Sequence, residues 1–195
     1  MIHEMEIHAK TDEELAAECK GRDEQAFREL MGRYMRQIFN FARQYSKTNE
    51  DAEDITQDTF LKVWKYIGRY AEGRPFKPWL YTIARNTALD FLKKKRSASF
   101  SELGDIENDL PFADTVTDTG PLPDELFADA AMVEKLSEVM DDIHPDHRAI
   151  LVMHYHEDMT FDEISVIINK PMNTVKSWHR RALIRLREKL MHHKE

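Results

Sequence analysis

The stretch from Thr160 to Leu190, TFDEISVIINKPMNTVKSWHRRALIRLREKL, admits few folds. Thr160 can cap a helix, and Glu163 three residues on completes a capping box. Phe161, Ile164, Ile167 and Ile168 follow at the spacing of a buried helical stripe. Asn169-Lys170-Pro171 then stops that helix, because proline cannot continue a hydrogen-bonded turn. A second helix is expected from about Asn173, carrying Lys176, Arg180, Arg181, Arg185, Arg187 and Lys189. Helix, tight break and basic helix is the layout of a helix-turn-helix, whose second helix enters a DNA major groove. A plain helical hairpin with a solvated basic face has the same layout, and this segment alone leaves both open.

Helical spacing also runs through the first half of the chain. Thr11 with Glu14 forms a capping box opening a short helix to about Cys19, which Gly21 ends. Over residues 23–45, Phe27, Leu30, Met31, Tyr34, Ile38, Phe41 and Ala42 keep a steady helical period. The next helix is expected from Asn49 to Tyr66, on Ala52, Ile55, Thr59, Val63 and Tyr66. Its start is acidic, which suits the helix dipole. The dipole does not account for Asp58, nor for Phe60 and Trp64, which widen the apolar face beyond one core stripe. A docking partner accounts for that width.

Gly and Pro make residues 68–78 a loop, and a helix follows over 78–95 with Trp79, Leu80, Ile83, Ala84, Thr87, Phe91 and Leu92 on one face. Cations there, Arg69, Arg74, Lys77 and Arg85, mix with Tyr70, Phe76, Trp79 and Tyr81. Bases of a single strand stack on aromatics while the backbone meets positive charge, so the mixture fits strand binding. The same rings also fit an ordinary core. Residues 97–123 lose the helical period and gather Ser, Thr, Gly, Pro and acids, as a linker does. Helices are expected again from Asp124 to about Met140 and from Pro145, which is well placed at a helix start.

The formal net charge of −8 argues against nucleic acid only until it is divided along the chain. Residues 61–96 carry +8 and residues 170–195 carry +6, while the intervening 97–142 carry −12. Basic zones, rather than the total, are the footprint of phosphate binding. A single cysteine, Cys19, excludes an internal disulfide framework and fits a reducing cytoplasm. It reads as a small packing residue, with redox sensing as the lesser alternative. No apolar run reaches membrane-span length, so no stable membrane insertion is expected. His144, His147, His154 and His156 are dense enough to raise zinc, but Pro145 and Tyr155 beside them suggest helix ends, so no metal or cofactor is expected. No catalytic site stands out, and the chain reads as a non-enzyme.

Three stretches, DAEDITQDTFLKVWK at 51–65, FKPWLYTIARNTALDFLKKKR at 76–96 and the 160–190 segment, together resemble the extracytoplasmic-function (ECF) sigma factors of bacterial RNA polymerase. The resemblance covers about residues 12–96 and 124–191, in matching order. It implies an all-α fold of two helical domains joined by a flexible acidic linker over 97–123. The first domain would dock on core RNA polymerase and bind and melt the minus-ten element. The second, a helix-turn-helix, would read the minus-thirty-five element of promoter DNA.

The resemblance assigns residues as well. Asp51, Asp54, Gln57, Asp58, Phe60, Leu61 and Trp64 match the helix that docks on the polymerase clamp. Loop 72–77 matches the pocket for a flipped-out base. Arg74, Phe76, Lys77, Arg85, Asn86 and Lys93 are thereby expected at the melted non-template strand, and the Asn86 amide suits a base edge. Asp90 is expected to make a local helix contact instead. Asn173, Thr174, Lys176, Ser177, Arg180 and Arg181 are the expected contacts of the recognition helix. Trp178, His179 and Asn173 depart from the residues common in the family. An anti-sigma factor is a further implied partner. The competing readings are a helix-turn-helix regulator that works without polymerase and a small nuclease or recombinase. The first has no use for the 51–64 face. The second needs clustered acids or a nucleophile.

Overall fold

A computed structural model describes residues 10–98 and 143–192. Seven α-helices lie in those residues: α1 (Asp12–Lys20), α2 (Glu24–Ala42), α3 (Asn49–Tyr66), α4 (Phe76–Ala98), α5 (Pro145–Tyr155), α6 (Phe161–Ile168) and α7 (Met172–His192). A single 3₁₀ turn, Ile67–Arg69, follows α3. The helix expected over 124–140 and nearly all of the expected linker lie outside the described residues.

Six of the seven helix starts are satisfied by a side chain, which is why those breaks fall where they do. The Thr11 hydroxyl accepts from the Glu14 N–H at 3.2 Å while the Glu14 carboxylate accepts from the Thr11 N–H at 2.8 Å. Asp23 accepts from the N–H groups of Gln25 and Ala26 at the head of α2. Thr48 does the same for Asp51 at the head of α3. The first N–H of α4 has no local cap; Phe76 donates instead to the Glu13 carboxylate of α1 at 3.0 Å.

Two helices differ from their sequence expectation. α2 ends at Ala42 rather than near Tyr45, because Tyr45 turns inward and buries its ring against Phe41 at 5.4 Å. α4 starts at Phe76, two residues before the expected Pro78, and runs on to Ala98. Pro78 sits in the first turn, where N–H groups lack intrahelical acceptors anyway, so it removes no hydrogen bond.

α1–α4 wrap a core of Leu15, Leu30, Ile38, Phe41, Ile55, Val63, Leu80 and Ala84. The helix-turn-helix buries Ile150, Met153, Ile164, Ile168, Val175 and Trp178, and these join the same continuous cluster. α6 packs along α4, and α5 touches α2. This union of the two halves is absent from the sequence expectation, which separated them by a linker. A smaller cluster of Ile143, Leu151, Ala182 and Leu186 ties α5 to α7.

Candidate docking and nucleic-acid surfaces

The outer face of α3 presents Asp54, Gln57, Asp58 and Leu61, all exposed, with the Leu61 side chain at 66%. Their spacing places them on adjacent turns of one face. Asp51 stands at its edge and pairs with Lys95 of α4 at 2.6 Å. Trp64 is half-buried: its ring lies 4.8 Å from that of Phe27, and the Arg22 guanidinium sits over it at 5.2 Å. Phe60 does not join the outer face. It is 4% exposed and meets Phe27 edge-on, so it is a floor beneath the surface rather than a contact upon it.

The residues expected at a melted strand divide in two. Arg74, Asn86 and Lys93 are exposed. Phe76 is 1% exposed, enclosed by the rings of Tyr34, Tyr70 and Trp79 at 5.8 Å each, so its ring has no free face for a base. Gly73 has φ +78°, the left-handed region that favours glycine, and turns the chain into Arg74 and α4. Lys77 and Arg85 point at the helix-turn-helix half. The Lys77 ammonium meets the Glu157 carboxylate at 3.0 Å and donates to the Glu157 carbonyl at 2.7 Å. The Arg85 guanidinium donates twice to Asp146, at 3.0 and 2.8 Å, and the Tyr45 hydroxyl donates to the same carboxylate at 2.8 Å. Burial works to raise the Asp146 carboxyl, but Arg85 outweighs it and holds the group below its ordinary range. Asp90 meets Lys62 of α3 at 3.1 Å, a contact between neighbouring helices.

α6, the turn and α7 form the helix-turn-helix. The Thr160 hydroxyl accepts from the Glu163 N–H at 3.3 Å and the Glu163 carboxylate accepts from the Thr160 N–H at 2.9 Å, completing the expected box. Asn169 ends α6 in the left-handed conformation, φ 54° and ψ 46°. That turn lets the Lys170 N–H reach back to the Ser165 carbonyl at 3.2 Å. α7 then buries Val175, Trp178, Ala182 and Leu186. Asn173, Lys176 and Arg180 are exposed on the opposite side, with Thr174, Ser177 and Arg181 half-buried at its flanks.

The two unusual residues of α7 are seats rather than readers. Trp178 packs on the His147 ring at 5.0 Å with the Lys170 ammonium over it at 5.7 Å. His179 stacks with Tyr155 and meets the rings of His154 and Phe161 edge-on. Burial, and then the neighbouring His154, lowers the His179 pKa to about 4. Two further histidines have structural work: His144 caps α5 by accepting from the Asp146 N–H, and His154 hydrogen-bonds the Met159 carbonyl at 3.0 Å. Cys19 is buried, which, with Asp23 and Glu18 nearby, pushes its thiol up to about 11.

Sequence reasoning missed Tyr45, Asp146, Glu157 and Arg148, which join the two halves. Arg148 of α5 donates to the Gln44 carbonyl of the other half at 2.6 Å. Nothing in local spacing marks such pairs, since their members lie 61 to 104 residues apart.

The Sigma-70 region 2 family profile matches residues 30–98, and the Sigma-70 region 4 profile matches residues 139–188. The RNA polymerase sigma factor CarQ of Myxococcus xanthus is 31% identical over 85% of this chain and 89% of its own length. The ECF RNA polymerase sigma factor SigE of Mycolicibacterium smegmatis is 27% identical over 85% of this chain, which spans 62% of that relative's length. In fold, the chain is similar to the sigma factor RpoE of Bartonella quintana, solved in complex with the anti-sigma factor NepR. The TM-score is 0.63 at 22% identity, covering 85% of this chain and 96% of that one. With both sigma regions matched in order and nearly all of CarQ covered, the chain belongs to the extracytoplasmic-function sigma factors of the sigma-70 family.

Proposed function

We propose that this chain is a non-enzymatic specificity subunit acting in the cytoplasm. It binds core RNA polymerase, carries it to promoters of two separated elements and helps melt the duplex. The domain reading is 12–96 for docking, minus-ten recognition and melting, 97–123 for the linker, and 124–191 for minus-thirty-five recognition. The observation that carries it is one chain holding both an exposed acidic face around Leu61 and a helix-turn-helix. The α3 face of Asp54, Gln57, Asp58 and Leu61 is a surface a lone duplex-binding regulator does not need. Lys176 and Arg180 on α7 can donate to guanine O6 and N7, and Asn173 can pair with adenine. Asn86 and Lys93 on α4 are exposed, which leaves them available to a displaced strand. An anti-sigma partner fits the same reading, since RpoE of Bartonella quintana forms such a complex.

In vitro transcription with core polymerase over a promoter library tests the proposal. A subset of templates transcribed only when this chain is present is the expected result. If the intact chain fails to bind core polymerase in a pull-down, the sigma reading is lost and the plain regulator takes its place. Metal-dependent cleavage of a promoter fragment by the pure chain would instead support a nucleic-acid enzyme.

A further inference from the structure

Lys77, Tyr81 and Arg85 are spaced four residues apart and form one stripe along α4. In a strand-capturing helix this stripe would be open. Here the helix-turn-helix half meets it at Lys77 and Arg85 and leaves Tyr81 buried between them. Glu157, in the turn between α5 and α6, holds Lys77. Tyr81 is fully buried between the two ion pairs, and burial followed by the Glu157 carboxylate pushes its phenol up. Asp146, at the head of α5, takes both arms of Arg85 and the Tyr45 hydroxyl. The Arg85 and Asp146 side chains are only 11% and 10% exposed.

We propose that Glu157 and Asp146 form an intramolecular latch, two carboxylates occupying α4 cations that would otherwise meet a nucleic-acid strand. The inference rests on the strand-capture reading of α4 and adds a closed state in which the isolated chain holds its own capture surface half covered. Carboxylates suit the role because they offer an anionic oxygen pair to a guanidinium, as a phosphate does. Geometry supports a switch rather than a permanent bond. The partners lie on different halves, 80 and 61 residues apart, so parting the pairs breaks no contact inside either half. Closure leaves Arg74, Asn86 and Lys93 exposed, so a strand meets an incomplete surface until the halves separate. Apparent strand affinity then falls by the fraction of chains that are open.

The test uses the full chain with spin labels at two exposed positions outside both surfaces, Arg36→Cys on α2 and Glu188→Cys on α7. Cys19 is buried and resists labelling. Pulsed electron resonance should give one narrow distance for the unmodified latch. Adding Asp146→Asn and Glu157→Gln should broaden it toward longer distances. Asp162→Asn, an exposed carboxylate of the same half, should leave it narrow. In parallel, anisotropy of a fluorescein-labelled oligothymidine should show the double variant binding roughly tenfold tighter or more, the gain expected when an open form of about 10% or less becomes dominant. Circular dichroism at wild-type helicity certifies that the variant is folded. Should Asp146→Asn alone unfold the chain, Glu157→Gln by itself carries the test, since Lys77 is only partly buried. A distance distribution that is the same with and without the carboxylates overturns the latch. The distances need no promoter or polymerase, so a failed latch leaves the sigma reading standing. A latch that opens as described beside silent transcription would sink the sigma reading alone.

Discussion

Phe76 shows how a side chain can fit a family pattern and still do other work. Its position matches a strand-binding loop, yet its ring closes the aromatic cluster of Tyr34, Tyr70 and Trp79. Helical spacing cannot separate the two roles, because an aromatic on an apolar stripe looks alike whether the stripe meets a core or a base. Burial separates them. Phe76→Ala should cost about 3–5 kcal/mol in denaturant unfolding, the range for truncating a buried phenylalanine. A loss under about 0.5 kcal/mol, ordinary for a surface site, would return the ring to the strand. His179 was legible only as a departure from the family pattern. The structure turns it into a titration. Its folded pKa of about 4 lies below the ordinary 6.5, so below pH 6.5 the unfolded chain binds more protons than the folded one. Its contribution is therefore complete above pH 6.5 and is lost as pH falls toward 4. Thermal midpoints across that window should fall more steeply for the wild type than for His179→Phe, and parallel curves would refute the assignment.

At the scale of elements, the sequence carried most of the information. Capping boxes at Thr11 and Thr160, the Asn49 to Tyr66 helix and the break before Pro171 follow from local chemistry, and local chemistry is what a sequence displays. The ends of α2 and α4 were less legible because distant partners set them. Tyr45 is drawn toward Asp146 of the other half, and Glu13 caps α4 from α1. The recognition helix was legible on its outer side and obscure on its inner one. Val175, Trp178, Ala182 and Leu186 keep the period, but what they pack on comes from elsewhere: Trp178 meets the His147 ring, and Ala182 and Leu186 cluster with Leu151. With the seat fixed, Lys176 and Arg180 stay exposed, the Lys176 ammonium resting over the Phe161 ring at 5.8 Å. Replacing either with Ala should leave helicity intact and weaken duplex promoter binding by about 1–3 kcal/mol for a lost base contact. Electrophoretic shift titrations over cognate and scrambled duplexes would distinguish the roles. A base reader loses discrimination between the two, while a phosphate contact weakens both alike. Undiminished binding by both variants would remove α7 as the reader.

The whole molecule joins two surfaces that the sequence predicted separately and could not relate. Charge division along the chain located the basic zones, but a linear charge map does not say which cations already have carboxylates. Lys77 and Arg85 have them; Arg74, Asn86 and Lys93 stay on the exposed side. Asn86 therefore offers the cleanest probe of strand capture. It adjoins Arg85 in sequence, yet it is exposed and lies outside both latch pairs, so Asn86→Ala should change neither the fold nor the open fraction. It lies on α4 rather than on the outer face of α7, so duplex binding should change little. What it removes is an amide that both donates and accepts, the chemistry a base edge requires. Permanganate reactivity of melted thymines should fall by roughly tenfold, the equivalent of about 1.4 kcal/mol, within the range of one base contact. Duplex affinity measured on the same promoter should stay within about twofold, as for an exposed substitution worth less than about 0.5 kcal/mol. Equal losses in the two assays would mean that Asn86 serves general DNA affinity, and an unchanged permanganate pattern would take α4 out of strand capture.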